Sequence, residues 1–330
     1  MAAEVLPWQI KQWQLSVTAR AAGRVPHAIL LSGPAGLGKV RFARRLAEAL
    51  VCTRPRDDGD ACGSCRACRL SRAGSHPDLH WVSPEEPGKM IKIDAVRELT
   101  AKSMLSAQEG GYRVFVLDPA EAMNRSAANA LLKTLEEPAS RTVLILVSSH
   151  PDRLPATIRS RCQAFKFAIP AADEVRGWLG ARLGGGDLEG LLAVSGGAPL
   201  RALQAKEECW IEQGRLLTSE LSALKMRRSN PLQTVEEWEK RPLTLVFDGL
   251  KRCLTDLIRL ASGLPEVDIY HPGLRGDLQR LGKDIDLKLV YRLHDELLQL
   301  ERDASRNLNE QMMLEYIANQ WLLITRPGVH

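Results

Sequence analysis

The amino-acid sequence predicts an α/β domain built on a parallel sheet, followed by a small helical domain and then a larger all-helical one. Three observations carry this expectation. Apolar runs of strand length alternate with helical periodicity over the first half, a glycine-rich turn separates one such run from the helix after it, and strand-like runs cease beyond Pro170.

The first element is the run HAILLS at residues 27–32, which ends in that turn, after which Val40, Ala43, Ala47 and Leu50 recur at helical spacing. Two further runs, RVFVLD at 113–118 and TVLILVS at 142–148, are continuously apolar and β-branched, as expected of strands covered on both faces. Between them residues 126–137 read as a helix stopped by Pro138. A last strand-like stretch, AFKF at 164–167, closes the domain. Right-handed crossovers between such strands give a parallel sheet with ligands at its carboxyl edge. The α/β domain is therefore expected over residues 1–167. Short helical stretches at 173–183, 188–195 and 200–207, punctuated by glycines at 184–186 and 196–197, define a small helical domain over 168–207. From 208 to 330 the periodicity is helical and amphipathic, with Leu289, Leu293, Leu297 and Leu300 on one face.

A hydrophobic content of 45% in 330 residues fills such cores without disulfides. The first residues, MAAEVLPWQIKQWQLSV, lack a basic segment followed by an apolar one, and the longest strongly apolar stretch, 142–147, is far short of a bilayer span, so a cytoplasmic protein with no membrane partner is expected. The net charge of +5, from 45 basic and 40 acidic residues, is too small to argue for nucleic-acid binding.

Residues 33–40, GPAGLGKV, match the phosphate-binding pattern G-x-x-x-x-G-K between a buried strand and a helix. There the glycines Gly33, Gly36 and Gly38 let backbone N–H groups wrap phosphates and Lys39 reaches their oxygens. The next position normally carries a hydroxyl that holds Mg²⁺, and Val40 has none. Asp118, at the end of the second apolar run, is available for a metal, but Pro119 stands where a water-orienting acid usually follows. ATP or ADP binding at this degenerate site is compatible with the residues retained; efficient turnover is not.

Four of the seven cysteines, Cys52, Cys62, Cys65 and Cys68, form C-x9-C-x2-C-x2-C. A local cluster is not a disulfide framework, and four thiolates suit a closed, structural Zn²⁺ site; a redox cluster or unliganded thiols are the alternatives. The polar sequence between the first two ligands builds no core, so a metal is expected to supply the insert's folding energy. Arg54, Arg56, Arg66 and Arg69 are basic, yet neither a recognition helix nor an aromatic platform accompanies them, which disfavours a DNA-reading module.

Taken in order, the phosphate loop, the four-cysteine insert, the run ANALLKTLEEP at 128–138 and the triplet Ser160-Arg161-Cys162 resemble the AAA+ clamp-loader family of bacterial DNA polymerase III. The resemblance implies an AAA+ domain with a zinc insert, a helical lid, and a helical collar that joins a pentameric ring of delta, three motor subunits of gamma or tau type, and this chain. Such a ring opens the sliding clamp and places it on primed DNA. The triplet is the family's arginine-finger motif, so Arg161 is implied to reach the γ-phosphate held by a neighbouring motor subunit. Within the family, Val40, Pro119 and the length favour the subunit that looks like the motor but lacks a complete ATP site. So does Leu200, which occupies the second-sensor position while the arginine is displaced to Arg201. An autonomous ATPase motor, or a nucleotide kinase, is the rival reading.

Overall fold

The computed structural model of the chain describes residues 5–86, 88–263, 269–304 and 309–325. The outermost bounds of the first and third expected domains, 1 and 330, lie outside these. The chain forms two compact units, Met1–Val175 and Arg176–His330.

In the first unit, α1 (Ile10–Ala21), β1 (Ala28–Ser32), α2 (Lys39–Val51), α3 (Arg66–Arg72), β2 (Leu79–Val82), α4 (Ile93–Ser103), β3 (Arg113–Leu117), α5 (Arg125–Glu136), β4 (Thr142–Ser148), α6 (Ala156–Arg159) and β5 (Gln163–Lys166) follow one another. All strand pairs are parallel, in the order β2-β3-β4-β1-β5, with Leu30 of β1 opposite Leu146 of β4 and Ala164 of β5. The three apolar runs become β1, β3 and β4, every residue of which is buried, because helices cover both faces of a parallel sheet. Helix α5 starts where the side chain of Asn124 accepts the Ala127 N–H at 2.8 Å, and it stops ahead of Pro138. Its apolar face, with Leu131 and Leu135, packs on Leu30, Phe115, Leu144 and Leu146.

Strand β2 and helix α4 have no counterpart in the expected elements. The sequence of β2, LHWV, mixes His80 and Trp81 with aliphatic residues because it is the edge strand and only partly covered. Asp78 fixes it there. Its carboxylate, 1% exposed, accepts the N–H groups of Gln108 (2.8 Å) and Glu109 (2.9 Å) and the guanidinium of Arg113 (2.9 Å). Burial alone would push Asp78 up, but these donors hold its carboxyl below the usual carboxylate range.

Helix α7 (Ala172–Leu183) leads into the second unit, where α8 (Leu188–Val194), α9 (Pro199–Glu207), α10 (Trp210–Lys225), α11 (Pro231–Glu239), α12 (Leu243–Ala261), α13 (Arg275–Gly282), α14 (Leu287–Ala304) and α15 (Glu310–Ile324) succeed one another without a strand among the described residues. The core of α10 to α15 gathers Leu217, Trp238, Leu250, Leu254 and Trp321. As the spacing predicts, Leu293 and Leu297 lie inside it and Leu289 and Leu300 pack against it. Among the described residues no helix is long and apolar enough to cross a membrane.

Candidate functional site

The phosphate loop sits at the carboxyl edge of the sheet, between β1 and α2. Gly33, Gly36 and Gly38 all have positive φ (145°, 81° and 79°), and a Cβ on Gly33 would lie 2.0 Å from the Phe167 carbonyl oxygen, so glycine is required at that position. The chain ahead of α1 braces the loop: the Trp8 indole and the Gln9 amide both donate to the Leu37 carbonyl, at 3.0 and 2.7 Å.

Lys39 is turned inward. Its ammonium donates to the carbonyls of Gly33 and Pro34, each at 2.7 Å, and to Ser149 Oγ at 3.0 Å, which engages all three of its N–H groups. Burial pushes the ammonium down from its ordinary value, opposed by the nearby carboxylates of Glu121 and Asp118. Asp118, next in chain after β3, is pushed up, first by burial and then by Glu121. Thus the loop glycines, Lys39 and Asp118 do come together. Glu121 and Ser149 complete the group, and the expected site did not contain them. Glu121 is itself buried, which alone would raise its pKa; the N–H groups of Ser149 (2.9 Å) and His150 (3.1 Å) are among the donors that hold it below the usual range. A faint signal existed in the run Asp118-Pro119-Ala120-Glu121, since the short turn after β3 brings Glu121 back toward the sheet edge. Val40 does not join the core face of α2 with Ala43, Ala47 and Leu50. It is 40% exposed in the first helical turn, and it presents only methyl groups there.

The four insert cysteines converge: their sulfurs all lie within 4.8 Å of one another, with Cys52–Cys65 and Cys62–Cys68 at 3.9 Å. The edge of a tetrahedron of thiolates around Zn²⁺, at a Zn–S distance of about 2.3 Å, is about 3.8 Å, so the donor set fits one ion. Backbone N–H groups of Cys62, Cys65 and Cys68 point at the sulfurs of Cys52, Cys62 and Cys65 at 3.3–3.4 Å. Hydrogen bonds from the Ser64 and Cys65 N–H groups and the Ser64 hydroxyl bring the Cys62 thiol down to about 5.

The insert is also anchored without metal, a feature absent from the expected site. Arg45 on α2 forms a two-pronged pair with Asp60, at 2.6 and 2.8 Å and largely buried, while its guanidinium stacks 3.6 Å from the Trp13 ring. Trp13 in turn donates to the Asp58 carbonyl at 3.0 Å. Three of the insert arginines are engaged locally: Arg56 with Asp58 and Asp60, Arg66 with Glu109, and Arg69 with the Ser64 carbonyl.

Arg161 lies between α6 and β5, and therefore at the amino edge of the sheet, opposite the phosphate loop. The four residues of β5 alone separate the two edges by about 13 Å. Its guanidinium is partly exposed, donates to the Thr157 carbonyl at 3.0 Å and pairs with Glu136 at 2.6 Å. In the second unit, Arg201 lies 3.6 Å from Asp248 and 5.1 Å from the Trp210 ring centre.

What emerges is an α/β protein with a glycine-rich phosphate-type loop on a parallel sheet, four converging thiols that could hold one metal ion, and an all-helical second unit. Family models described as "DNA polymerase III, delta subunit" and "DNA polymerase III, delta subunit, C terminal" match residues 8–171 and 209–322. DNA polymerase III subunit delta' of Pseudomonas aeruginosa is 39% identical over 332 residues, covering 99% of this chain and 100% of that one. The subunit delta' of Haemophilus influenzae is 33% identical, covering 77% of each chain, and that of Escherichia coli 37% identical, covering 60% of this chain and 59% of its own. The chain belongs to the DNA polymerase III subunit delta' family.

Proposed function

We propose that the chain serves the clamp loader of DNA polymerase III as its delta' subunit, with no ATP hydrolysis of its own, and that it contributes Arg161 to the ATP site of a neighbouring motor subunit of gamma or tau type. The observation that carries this reading is the separation of the two chemistries on one sheet. Arg161 stands at the amino edge and the phosphate loop at the carboxyl edge, so a guanidinium there serves a nucleotide held by another chain.

The loop itself supports the absence of turnover. Val40 offers no oxygen to Mg²⁺, Glu121 is bound to the N–H groups that follow β4, and Lys39 donates to the loop's own carbonyls. Phosphoryl transfer depends on metal and positioned charge, so these residues bind phosphate at most and leave the reaction uncatalysed. Nucleotide at Gly33, Gly36, Gly38, Lys39 and Asp118 would then have a structural role.

Cys52, Cys62, Cys65 and Cys68 would hold a structural Zn²⁺, which supplies cross-linking and no open coordination position. Residues 1–167, 168–207 and 208–330 would act as AAA+ domain, lid and collar, with the ring, including delta, acting in the cytoplasm on the sliding clamp and primed DNA.

The test is ATP turnover by the purified chain alone. Rates at the buffer background support the reading. Turnover that Lys39→Ala abolishes would make the chain a motor instead.

A further inference from the structure

The second unit contains a polar cavity of about 240 Å³ that the proposed function does not use. Residues of α9, α12 and α14 contribute to its lining, among them Arg201, Asp248, Lys251, Arg252, Thr255 and His294. Asp248 is the one carboxylate among the lining residues, and three cations share it: Lys251 at 2.7 Å, Arg252 at 3.5 Å and Arg201 at 3.6 Å. Lys251 has a second partner in Glu301 at 2.6 Å, so its charge is well matched. The two guanidiniums are not. Among the described residues, Arg252 makes a single long hydrogen bond, to Asp248, and Arg201 makes none, although each carries five N–H donors.

Arg252 is 7% exposed and is held by packing in place of hydrogen bonds: its guanidinium lies 3.8 Å from the centre of the buried Trp210 ring. Burial pushes it down to about 10, which still leaves it charged at neutral pH. The ring fixes one fork and borders a second, from Arg201. Two planar guanidiniums with donors to spare, lining a half-open pocket, match the oxygens of a phosphate, which accepts two-pronged hydrogen bonds from each. The volume admits orthophosphate or pyrophosphate and is smaller than typical sites for drug-sized ligands.

We propose that this cavity binds a small inorganic phosphate anion, orthophosphate or pyrophosphate, between Arg201 and Arg252. The displaced second-sensor arginine thereby has a ligand of its own within the helical unit. The anion draws together the helices that carry Arg201 and Arg252, α9 and α12.

The test is calorimetric titration of the full chain with orthophosphate, pyrophosphate and adenosine monophosphate at fixed ionic strength in chloride buffer. One-to-one binding of an inorganic phosphate with Kd below about 1 mM is expected. The same binding should persist in Lys39→Ala, where any anion held at the phosphate loop is lost, which separates the two sites. Arg201→Gln, at a partly exposed position, should weaken it about tenfold or more. Asp248→Asn removes the competing carboxylate and should tighten it; should that variant lose its helical circular dichroism, the Arg201→Gln arm alone decides. Absence of saturable binding, affinity unmoved by Arg201→Gln, affinity lost in Lys39→Ala, or binding of adenosine monophosphate alone would each overturn the proposal.

Discussion

The phosphate loop and the four-cysteine insert keep their shapes by opposite means. The loop is a backbone object: three glycines at positive φ, a lysine closed on its own carbonyls, and braces from Trp8 and Gln9. The insert is a side-chain object, held by the Arg45–Asp60 pair, the Trp13 ring and four converging sulfurs. Each segment can therefore lose a different chemistry. Val40, with no hydroxyl, sits beside a loop whose shape rests on its backbone, whereas every thiol of the insert is also a structural member.

Removing the insert's anchor should have the largest effect. Asp60→Ala leaves Arg45 buried and uncompensated, and loss of one partner of a buried pair costs about 3–5 kcal/mol. Urea denaturation should show it as a lower midpoint with an unchanged slope. Next in size is Cys65→Ser. Elemental analysis of the chain purified without chelator should find about one zinc per chain, and the variant should lose that metal and become protease-sensitive within 52–68 while the sheet stays folded. Zinc-free wild-type protein with an equally protected insert would show that the Arg45–Asp60 anchor suffices.

Asp78 supplies a reference outside both loops. Its folded pKa lies below the unfolded value of about 3.9, so its stabilisation is fully present above that pH and is lost as pH falls through the folded pKa. Thermal melts below about pH 4 should therefore bring wild type and Asp78→Asn together from a wide gap at neutral pH. The smallest effect belongs to Val40→Thr. At an exposed position it should shift stability by no more than about 0.5 kcal/mol, and with Pro119 still in place it should not create ATP turnover by the isolated chain.

Legibility in the sequence followed how local each interaction is. Strands β1, β3 and β4 announced themselves because burial on both faces keeps their middles apolar and confines polar residues, Ser32, Arg113, Thr142 and Ser148, to their ends. The edge strand β2 did not, since partial cover tolerates His80 and Trp81 and its staple joins Asp78 to Gln108 and Glu109, about thirty positions away. Glycine spacing exposed the phosphate loop, but Ser149, the side-chain partner of Lys39, lies 110 positions along the chain. Cysteine spacing exposed the thiol cluster, and nothing in it pointed to Trp13, 45 positions before Asp58. Arg201 was readable as a displaced arginine; its neighbours Asp248 and Trp210 come together only through helix packing.

Arg161→Ala in the reconstituted clamp loader tests most directly the proposal that this chain acts on a nucleotide held by a neighbour. The partly exposed pair with Glu136 contributes no more than about 1 kcal/mol, so the variant should fold and assemble as wild type does. ATP hydrolysis by the complex, stimulated by clamp and primed DNA, should nevertheless fall, because one motor site loses its transition-state cation, and Arg161→Lys should not restore it. Assembly with hydrolysis and clamp loading at the wild-type rate would rule out a role in the neighbour's site and leave Arg161 a surface residue paired with Glu136.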